Sequence, residues 1–344
     1  MLHLLILKDG KPGHYKKSEA VAQAMTAQRP ATISRLDVRM RFAAYHDALR
    51  FYLKQHRTLP GLNWLRMVYR LPAELPHRPD LIISSGGKTA FINAWLAQHY
   101  RCANVFIGFS RGISDAYFSR LIVHNSEHAG DPRFIDAPIP TEITPAILNQ
   151  AETDYLTGKP AGFTGTSHWT LLVGGRSGGY RYSRRDWTAL AESLPILAAR
   201  FNIRWLITTS RRTDRTCEQL LSRPEVKACV DELQIVRTDP RRIYNALLGR
   251  GRVIFCTEDS GTMLTEAAAT GKPVIALRPK RARATLALDQ LLDYYVSRSQ
   301  MQRVPIEDMI RLDAGTLTAC AVPSANESLS QVAEQLQDVL PAAA

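Results

Sequence analysis

Short apolar runs alternate with longer helical patterns along almost the whole chain. In the first half, the runs that predict strands are residues 3–8, 32–36, 80–84, 104–108 and 120–124. In the second half the same rhythm restarts, with predicted strands at residues 168–173, 203–208, 233–236, 252–256 and 273–277. Because strands separated by helices are typical of parallel sheets, the pattern predicts an α/β fold with two doubly wound, Rossmann-like domains.

A stretch rich in Pro, Gly and Thr, residues 137–167, separates the two sets of predicted strands. We therefore expect a first domain over residues 1–150, a second over 165–322, and a C-terminal helix and tail over 323–344. The amphipathic pattern of that helix allows it to pack on either domain. Ligands of such sheets bind beyond the carboxyl ends of the strands, so two such domains facing each other would share one interdomain cleft.

Composition narrows the class of protein. Of the 344 residues, 45% are hydrophobic and 22% charged, as in ordinary soluble globular chains. The opening apolar run is short and lacks a cationic leader, so we expect neither a signal peptide nor a membrane span. Five cysteines without a CxxC pair indicate reduced, mostly buried thiols, and hence a cytoplasmic protein.

The formal net charge of +12 changes this picture, because it favours an anionic partner. A nucleotide, a phospholipid surface and a nucleic acid all fit that description. Nucleic acid is the least favoured, since the charge is spread along the chain and no recognised binding module is present. Charge alone does not choose between the other two.

The segment 252–277, RVIFCTEDSGTMLTEAAATGKPVIAL, has the clearest candidate chemistry. A predicted strand leads into Asp259 and Ser260, which are good N-cap residues for the following helix. The unpaired amides of its first turn, near Met263, would suit a diphosphate. Glu266 shares a helix face with Thr262, and its carboxylate could accept hydrogen bonds from both hydroxyls of a ribose. An ordinary capped helix, with a glutamate that balances the dipole, is the alternative.

Two more polar loops follow predicted strands in the second half. The loop in 174–187, GGRSGGYRYSRRDW, lets backbone amides approach an anion, although it matches neither GxGxxG nor the Walker A pattern. The loop in 208–214, TTSRRTD, offers hydroxyls and arginines for phosphate or base contacts. A flexible turn and a solvated helix start are the respective alternatives. The candidate residues of these loops are Gly174, Gly175, Ser177, Thr209, Ser210 and Arg211.

Two loops of the first half have a similar design. Residues 8–25, KDGKPGHYKKSEAVAQAM, carry a carboxylate, a lysine and a histidine directly after the first strand. Residues 84–91, SSGGKTAF, place two glycines and a lysine between strand and helix but lack the upstream glycine of a Walker A loop. Each loop could instead be a simple turn. Their candidate residues are Asp9, Lys11, His14, Gly86, Gly87 and Lys88.

A different signal lies in residues 51–71, FYLKQHRTLPGLNWLRMVYRL, where aromatic and basic residues mix without an acid. Such a composition is typical of an interfacial contact with an anionic membrane surface. Pro60 and Gly61 predict a break into two segments. Basic-rimmed helices of the core are the alternative.

Taken together, KDGKPGH, SSGGK, VGGRSGGY, TSRRT and TEDSGTMLTEAAATGKPV, in this order, resemble the mitochondrial-fission Elm-like proteins of bacteria and plants. Members of that family are regarded as glycosyltransferases with the two-domain GT-B fold. The resemblance covers nearly the whole chain. It implies a nucleotide-sugar donor held by the second domain, an unidentified acceptor approached from the first, and no obligatory metal or other cofactor.

Carried over by position, the resemblance implies that Gly174, Gly175 and Ser177 line the diphosphate. Thr209, Ser210 and Arg211 would lie beside the nucleotide, phosphate would meet Ser260, Thr262 and Met263, and Glu266 would take the ribose. The acceptor side would be shaped by Lys11, Gly86, Gly87 and Lys88.

Inverting transfer needs a base for the acceptor hydroxyl, and in GT-B enzymes that base often follows the first strand. We therefore expect Asp9 or His14 to act as the base, with Lys11 facing the leaving phosphates. The acceptor could be a lipid-linked or envelope glycan. A nucleotide-sugar epimerase on the same fold and a non-enzymatic scaffold that binds membranes or partners are the competing hypotheses.

Overall fold

A computed structural model describes residues 1–42, 44–55, 59, 61–110, 112–124, 130–318 and 325–342. The chain divides into two compact units. The first is Met1–Glu142 together with Asn326–Ala344, and the second is Ile143–Ala325. Each unit contains a six-stranded sheet in which neighbouring strands are parallel. The predicted α/β class with two Rossmann-like domains is confirmed.

The first unit begins with a strand and alternates strands with helices. Its strands are β1 (Leu2–Lys8), β2 (Ala31–Asp37), β3 (Arg39–Met40), β4 (Tyr69–Arg70), β5 (Leu81–Ser85), β6 (Ala103–Ile107), β7 (Arg120–Val123) and β8 (Phe134–Asp136). Its first helices are α1 (Pro12–Gln28), α2 (Ala44–Gln55), α3 (Leu62–Val68) and α4 (Gly87–Tyr100), with a 3-10 turn at Asp115–Tyr117.

The second unit repeats the alternation. Its strands are β9 (His168–Leu172), β10 (Arg204–Thr208), β11 (Val230–Gln234), β12 (Ile254–Thr257), β13 (Val274–Arg278) and β14 (Gln302–Pro305). Its helices are α5 (Pro145–Leu156), α6 (Ala161–Gly165), α7 (Arg184–Phe201), α8 (Arg215–Leu221), α9 (Pro224–Lys227), α10 (Tyr244–Arg250), α11 (Gly261–Ala268), α12 (Leu286–Ser297) and α13 (Ala314–Thr318), with a 3-10 segment at Ile306–Arg311.

The strand order locates one point in each sheet where successive strands stop being added on one side and begin to be added on the other. The first sheet has the order β2-β1-β5-β6-β7-β8, and the second has β11-β10-β9-β12-β13-β14. The reversal therefore falls between β1 and β5 in the first sheet and between β9 and β12 in the second. Open α/β sheets bind ligands beyond the carboxyl ends of the strands at such a switch point.

Helices on both faces explain the unbroken apolar runs of the strands. In β1, Leu5 and Leu7 pack on the side of α4 with Phe91, whereas Leu4 and Ile6 pack on the opposite face. A strand that is covered on both faces needs apolar residues at consecutive positions, so it lacks the alternation of a half-exposed strand.

The last helix, α14 (Ala325–Gln337), belongs to the first unit. Val332 and Leu336 pack against Val21 and Met25 of α1, and the Gln28 side-chain amide donates to the Ser330 carbonyl at 2.8 Å. The amphipathic pattern left both domains open as its partner. The contacts with α1 assign it to the first.

Several boundaries differ from the sequence prediction. The strand expected at 233–236 is β11, which begins three residues earlier and ends at Gln234. It is an edge strand with polar residues, among them Glu232, which pairs with Lys159 and Arg241; this polar composition hides the strand pattern. The prediction also missed β3, β4, β8 and β14, and the stretch 137–167 contains helices α5 and α6.

The segment 51–71 forms the end of α2, then α3 and β4, and residues 56–58 and 60 lie outside the described residues. Leu65 is buried in the core, whereas the side chains of Phe51, Trp64 and Met67 are exposed. The segment therefore combines core positions with apolar surface. None of the helices in the described part of the chain has the length and apolarity needed to cross a bilayer.

A buried ion pair joins the carboxyl end of β12 to β14. The fully buried Glu258 carboxylate accepts from Arg303 Nε at 2.8 Å and Nη2 at 3.1 Å, and the Tyr180 hydroxyl donates to it at 2.8 Å. The hydrogen bonds that Arg303 donates to Glu258 raise the pKa of the guanidinium. The hydrogen bonds of Glu258 with Arg303 and Tyr180 thus connect three separate segments of the second unit.

Removal of the Arg303 guanidinium should destabilise the fold, because it leaves the Glu258 carboxylate buried without its cation. We expect Arg303→Met to lower the free energy of unfolding by about 3–5 kcal/mol in urea denaturation. The control is Arg311→Met, which removes a surface pair with Asp308 and should cost about 1 kcal/mol or less. Equal effects of the two substitutions would show that the buried pair has no special weight.

Candidate functional site

In the first unit, Asp9 and His14 form a hydrogen-bonded pair at the switch point. Asp9 directly follows β1, and His14 lies in the first turn of α1, which Pro12 opens. The distance between His14 Nδ1 and Asp9 Oδ2 is 2.7 Å. The Asp9 side chain is only 3% exposed and that of His14 is 31% exposed. The histidine is therefore the member of the pair that solvent can reach.

The electrostatics of this pair fix the proton on one nitrogen. Burial by itself would raise the pKa of Asp9, but the hydrogen bond and charge of His14, with the Lys11 amide, outweigh it and lower the pKa. Asp9 is then ionised at neutral pH, and an ionised carboxylate only accepts hydrogen bonds. His14 Nδ1 must donate, which leaves Nε2 as the nitrogen that can accept a proton.

Gly86 makes room for this histidine. A Cβ atom built on Gly86 would lie 2.3 Å from His14 Nδ1, and the residue has a φ of +96°. Both facts require glycine here. Because β5 pairs with β1, the turn at Gly86 between β5 and α4 comes directly against the loop that holds Asp9 and His14.

The other candidates of the first unit take different positions. The backbone amide of Lys11 donates to Asp9 Oδ1 at 3.1 Å, and its side chain is exposed. Gly87 is the first residue of α4. Lys88 has an exposed side chain, while its carbonyl accepts from the Tyr69 hydroxyl at 2.8 Å.

In the second unit, two glycines after β9 are bound to residues that follow β12. The Gly174 amide donates to Thr257 Oγ1 at 2.7 Å, and the Gly175 amide donates to Asp259 Oδ2 at 2.9 Å. Because β9 and β12 pair in parallel, their carboxyl ends lie side by side. The structure thus brings the loop of Gly174 and Gly175, the GG loop, together with the loop of Asp259 and Ser260 at the switch point.

Asp259 is the centre of this arrangement. Its carboxylate is buried, and it accepts hydrogen bonds from four groups: the Gly175 amide, the Thr257 and Tyr182 hydroxyls, and the Arg212 guanidinium. Burial raises its pKa, and the Gly175, Thr257 and Arg212 contacts oppose that rise. A carboxylate with its oxygens so occupied positions the loops around it.

Close approach explains why residues 174 and 175 are glycines. A Cβ on Gly174 would lie 2.2 Å from Asp259 Oδ1, and one on Gly175 would lie 2.0 Å from the Arg212 carbonyl oxygen. Any side chain at either position would push apart the loops that follow β9, β10 and β12. The glycines are a packing requirement whatever ligand binds.

The start of α11 has the expected helix cap. Ser260 is the N-cap residue, and its hydroxyl accepts from the Met263 amide. Thr262, Met263 and Glu266 are all partly exposed. Burial, and then the charge of Glu266, raises the pKa of Tyr244 in α10 well above its usual value.

The loop after β10 divides into inward and outward residues. Thr209 is buried, and its hydroxyl accepts from the Val236 amide at 3.0 Å. The Ser210 hydroxyl accepts from the Arg212 amide at 3.1 Å, while the Arg211 side chain is exposed. Of the three candidates, Thr209 is the one whose side chain is buried.

Comparison with known proteins adds family and fold. The family model described as "Mitochondrial fission ELM1" matches residues 12–322. The chain belongs to this family. No curated protein matches its sequence.

Solved structures similar to this Mitochondrial fission ELM1 family member have the GT-B fold. A UDP-GlcNAc 2-epimerase of Neisseria meningitidis, bound to UDP-GlcNAc, is 12% identical with a TM-score of 0.56, covering 98% of this chain and 100% of that one. MnaA of S. aureus with UDP is 11% identical with a TM-score of 0.57, covering 98% and 95%. MurG of Acinetobacter baumannii is 14% identical with a TM-score of 0.53, covering 98% and 100%. At these identities, the likeness shows the fold alone.

Three groups around Asp259 in this ELM1-family chain were missed by the sequence analysis. Tyr182, Thr257 and the side chain of Arg212 hold the carboxylate, and Thr213 adds a bond from its hydroxyl to the Gly174 carbonyl at 2.6 Å. All of them flank the loops that the sequence singled out. The contacts of Tyr182 and Arg212 with Asp259, and of Thr213 with Gly174, span 39 or more residues of sequence, so no local signal identifies them. Thr257 lies two residues before Asp259, and its hydroxyl is the only local partner among these groups.

No group of three or more His, Cys, Asp or Glu side chains that could hold a metal ion occurs among the residues described.

The lowered pKa of Asp9 has a testable consequence for stability. Because the pKa of Asp9 is lower in the folded protein, ionised Asp9 stabilises the fold at pH values above its ordinary pKa of 3.8. This contribution is lost as the pH falls through the pKa of the folded state. We expect Asp9→Asn to destabilise the protein at neutral pH and to differ less from the parent as the pH falls below that value. Urea unfolding across this pH range measures the difference.

Asp37→Asn provides the matched control, because Asp37 is exposed at the end of the neighbouring strand β2. Its effect should stay within about 0.5 kcal/mol at every pH. A constant penalty for Asp9→Asn down to the most acidic pH would contradict the ionised pair.

Proposed function

We propose that this protein is a glycosyltransferase that moves a sugar from a nucleotide-sugar donor to an acceptor hydroxyl. The observation that carries the proposal is the Asp259-centred arrangement, in which the GG loop is bound beside the start of α11 at the switch point of the second sheet. Glycines and a helix N-terminus at such a point suit a diphosphate. The similar fold of structures that contain UDP or UDP-GlcNAc supports a uridine nucleotide as the first candidate.

In this proposal the donor lies along α11. The diphosphate lies at its first turn, beside Thr262 and Met263, where the amides that precede Met263 donate to it because the Met263 amide is bound to Ser260 Oγ. Glu266 lies one turn further, where its carboxylate accepts from the ribose hydroxyls. Ser260 caps the helix and Asp259 keeps the GG loop in place. The half-exposed Arg212 guanidinium, which contacts Asp259, is a candidate cation for the diphosphate.

The same proposal assigns the base to His14. Its Nε2 takes the proton of the acceptor hydroxyl, whose oxygen forms a bond to the anomeric carbon as the bond from that carbon to the diphosphate breaks. Asp9 holds the ring by Nδ1 and stabilises the imidazolium that forms, as the third group of a triad does. Charge that develops on the leaving diphosphate is met by the helix start and by basic side chains, with Lys11 as a candidate.

A nucleotide-sugar epimerase is the second candidate, because similar structures include UDP-GlcNAc 2-epimerases. The two reactions differ in what they need. An epimerase converts the free donor into its epimer without an acceptor, whereas a transferase releases nucleoside diphosphate and forms a new glycosidic bond. Product analysis of the donor alone separates them, and a protein that binds no nucleotide is left as a scaffold.

The donor site is tested by ligand-induced thermal stabilisation with UDP, GDP, CMP, ADP and their sugars. A ligand at a hundred times its dissociation constant should add about 2.7 kcal/mol of stability. We expect one nucleotide to shift the melting temperature of the parent, and Glu266→Ala to remove the shift. The matched control Glu192→Ala changes an exposed glutamate of α7 and should keep it. If no nucleotide stabilises the parent protein, the donor site is wrongly assigned.

The base is tested by nucleoside diphosphate release from the donor that the first screen finds. His14→Ala should lower turnover about 10²–10⁴-fold while leaving the donor-induced thermal shift intact, because a base acts on the acceptor. Asp9→Asn should lower turnover less and change its pH profile, whereas Asp37→Asn should have no effect. Full turnover in His14→Ala would remove the histidine from the mechanism.

A further inference from the structure

Two segments of the second unit are unusually basic. Residues 176–185, RSGGYRYSRR, and residues 278–285, RPKRARAT, together contain eight Arg and Lys in 18 positions and no Asp or Glu. The whole chain has 44 Arg and Lys in 344 positions, with 32 acids. These two segments therefore hold a large part of the net positive charge without local neutralisation.

The fold places the two segments side by side. Tyr180 and Ala282 form an antiparallel bridge, and the Thr285 amide donates to the Gly178 carbonyl at 2.9 Å. The Lys280 amide donates to Asp186 Oδ1 at 3.0 Å. Segments that are more than 90 residues apart in sequence are thus fixed to each other by backbone contacts. We call their joint surface the arginine surface, residues 176–185 and 278–285.

Its basic side chains are exposed. They are Arg176, Arg181, Arg184, Arg185, Arg278, Lys280, Arg281 and Arg283. The nearby acids are largely engaged: Asp186 is buried in the capping box of α7, and Glu258 and Asp289 pair with Arg303. Within the described residues, the one ion pair recorded for a side chain of this surface joins Lys280 to Glu307 at 3.8 Å.

We propose that the arginine surface binds an anionic phospholipid membrane. Clusters of four to eight basic residues that lie at a membrane surface gain attraction from each phosphate-bearing headgroup, and arginine binds phosphate in two-pronged fashion. At the end of the surface, Leu286 is 75% exposed, which suits the boundary between headgroups and acyl chains.

The aromatic residues argue against a single-stranded nucleic acid as the partner. Such binding relies on bases that stack on exposed aromatic rings. The aromatic residues of these segments, Tyr180 and Tyr182, are both buried. Their hydroxyls donate to the buried carboxylates of Glu258 and Asp259, respectively. The inference uses charge and contacts alone, so it stands or falls apart from the proposed glycosyl transfer.

Vesicle co-sedimentation tests the proposal with the full chain. The probe is phosphatidylcholine vesicles with or without about 30% phosphatidylglycerol, at about 0.1 M salt, where surface charges still act over ~10 Å. We expect binding that requires the anionic lipid. The triple variant Arg181→Gln, Arg281→Gln, Arg283→Gln should lower the partition coefficient roughly a hundredfold, and each single variant about fivefold.

Two further variants make the result specific. Arg223→Gln, Arg242→Gln, Arg252→Gln removes the same charge from exposed arginines elsewhere in the second unit, and should bind like the parent. Trp64→Ala, Met67→Ala removes exposed apolar side chains of the segment 51–71 and should also bind like the parent. Parent-like binding by the arginine-surface variant overturns the proposal.

Other outcomes overturn it as well. Equal losses in both arginine triples would show attraction by net charge alone, and loss in the Trp64 and Met67 variant would assign the membrane contact to the first unit. A gel-shift assay with a short DNA duplex covers the remaining partner. Stronger retention by the duplex than by the anionic vesicles, lost in the same triple variant, would assign the surface to nucleic acid.

Discussion

The buried carboxylate of Asp259 is the constraint on which the second unit's site depends. One side chain holds the loop after β9 through the Gly175 amide, its own loop through Thr257, and the loop after β10 through Arg212. Burying a charge is tolerated when enough donors surround it, and here there are four. The same carboxylate requires glycine at position 174 because it occupies the space of a Cβ there, and the Arg212 carbonyl does so at position 175.

Parallel pairing explains why so much of this could be predicted from sequence. Each strand must end at the same edge of its sheet, so polar and glycine-rich loops after consecutive strands are brought together by topology alone. The Ser260 cap, which depends on a spacing of three residues, is confirmed. The α/β class follows from the rhythm of the apolar runs.

What the sequence could not give depends on distant partners. Glycine is needed at position 86 because His14, 72 positions earlier, occupies the space of a Cβ. Nothing in the sequence around either residue predicts this contact. The strand β11 carries charged residues that find their partners only after folding, so its pattern resembles a loop. Thr209 has the chemistry of a ligand contact, yet its hydroxyl is taken by the Val236 amide. Residue type indicates what a side chain can bind, and only the fold shows what it has already bound.

The return of α14 to the first unit has a consequence for how the chain is made. Val332, Ala333 and Leu336 complete a core that begins with Leu2 and Leu4, so the opening strand and the last helix share one hydrophobic cluster. A ribosome synthesises the whole second unit, Ile143–Ala325, before that helix emerges. Domains generally fold as units during synthesis. The second unit can therefore fold before the first is complete, because part of the apolar core of the first unit stays uncovered until α14 has been synthesised.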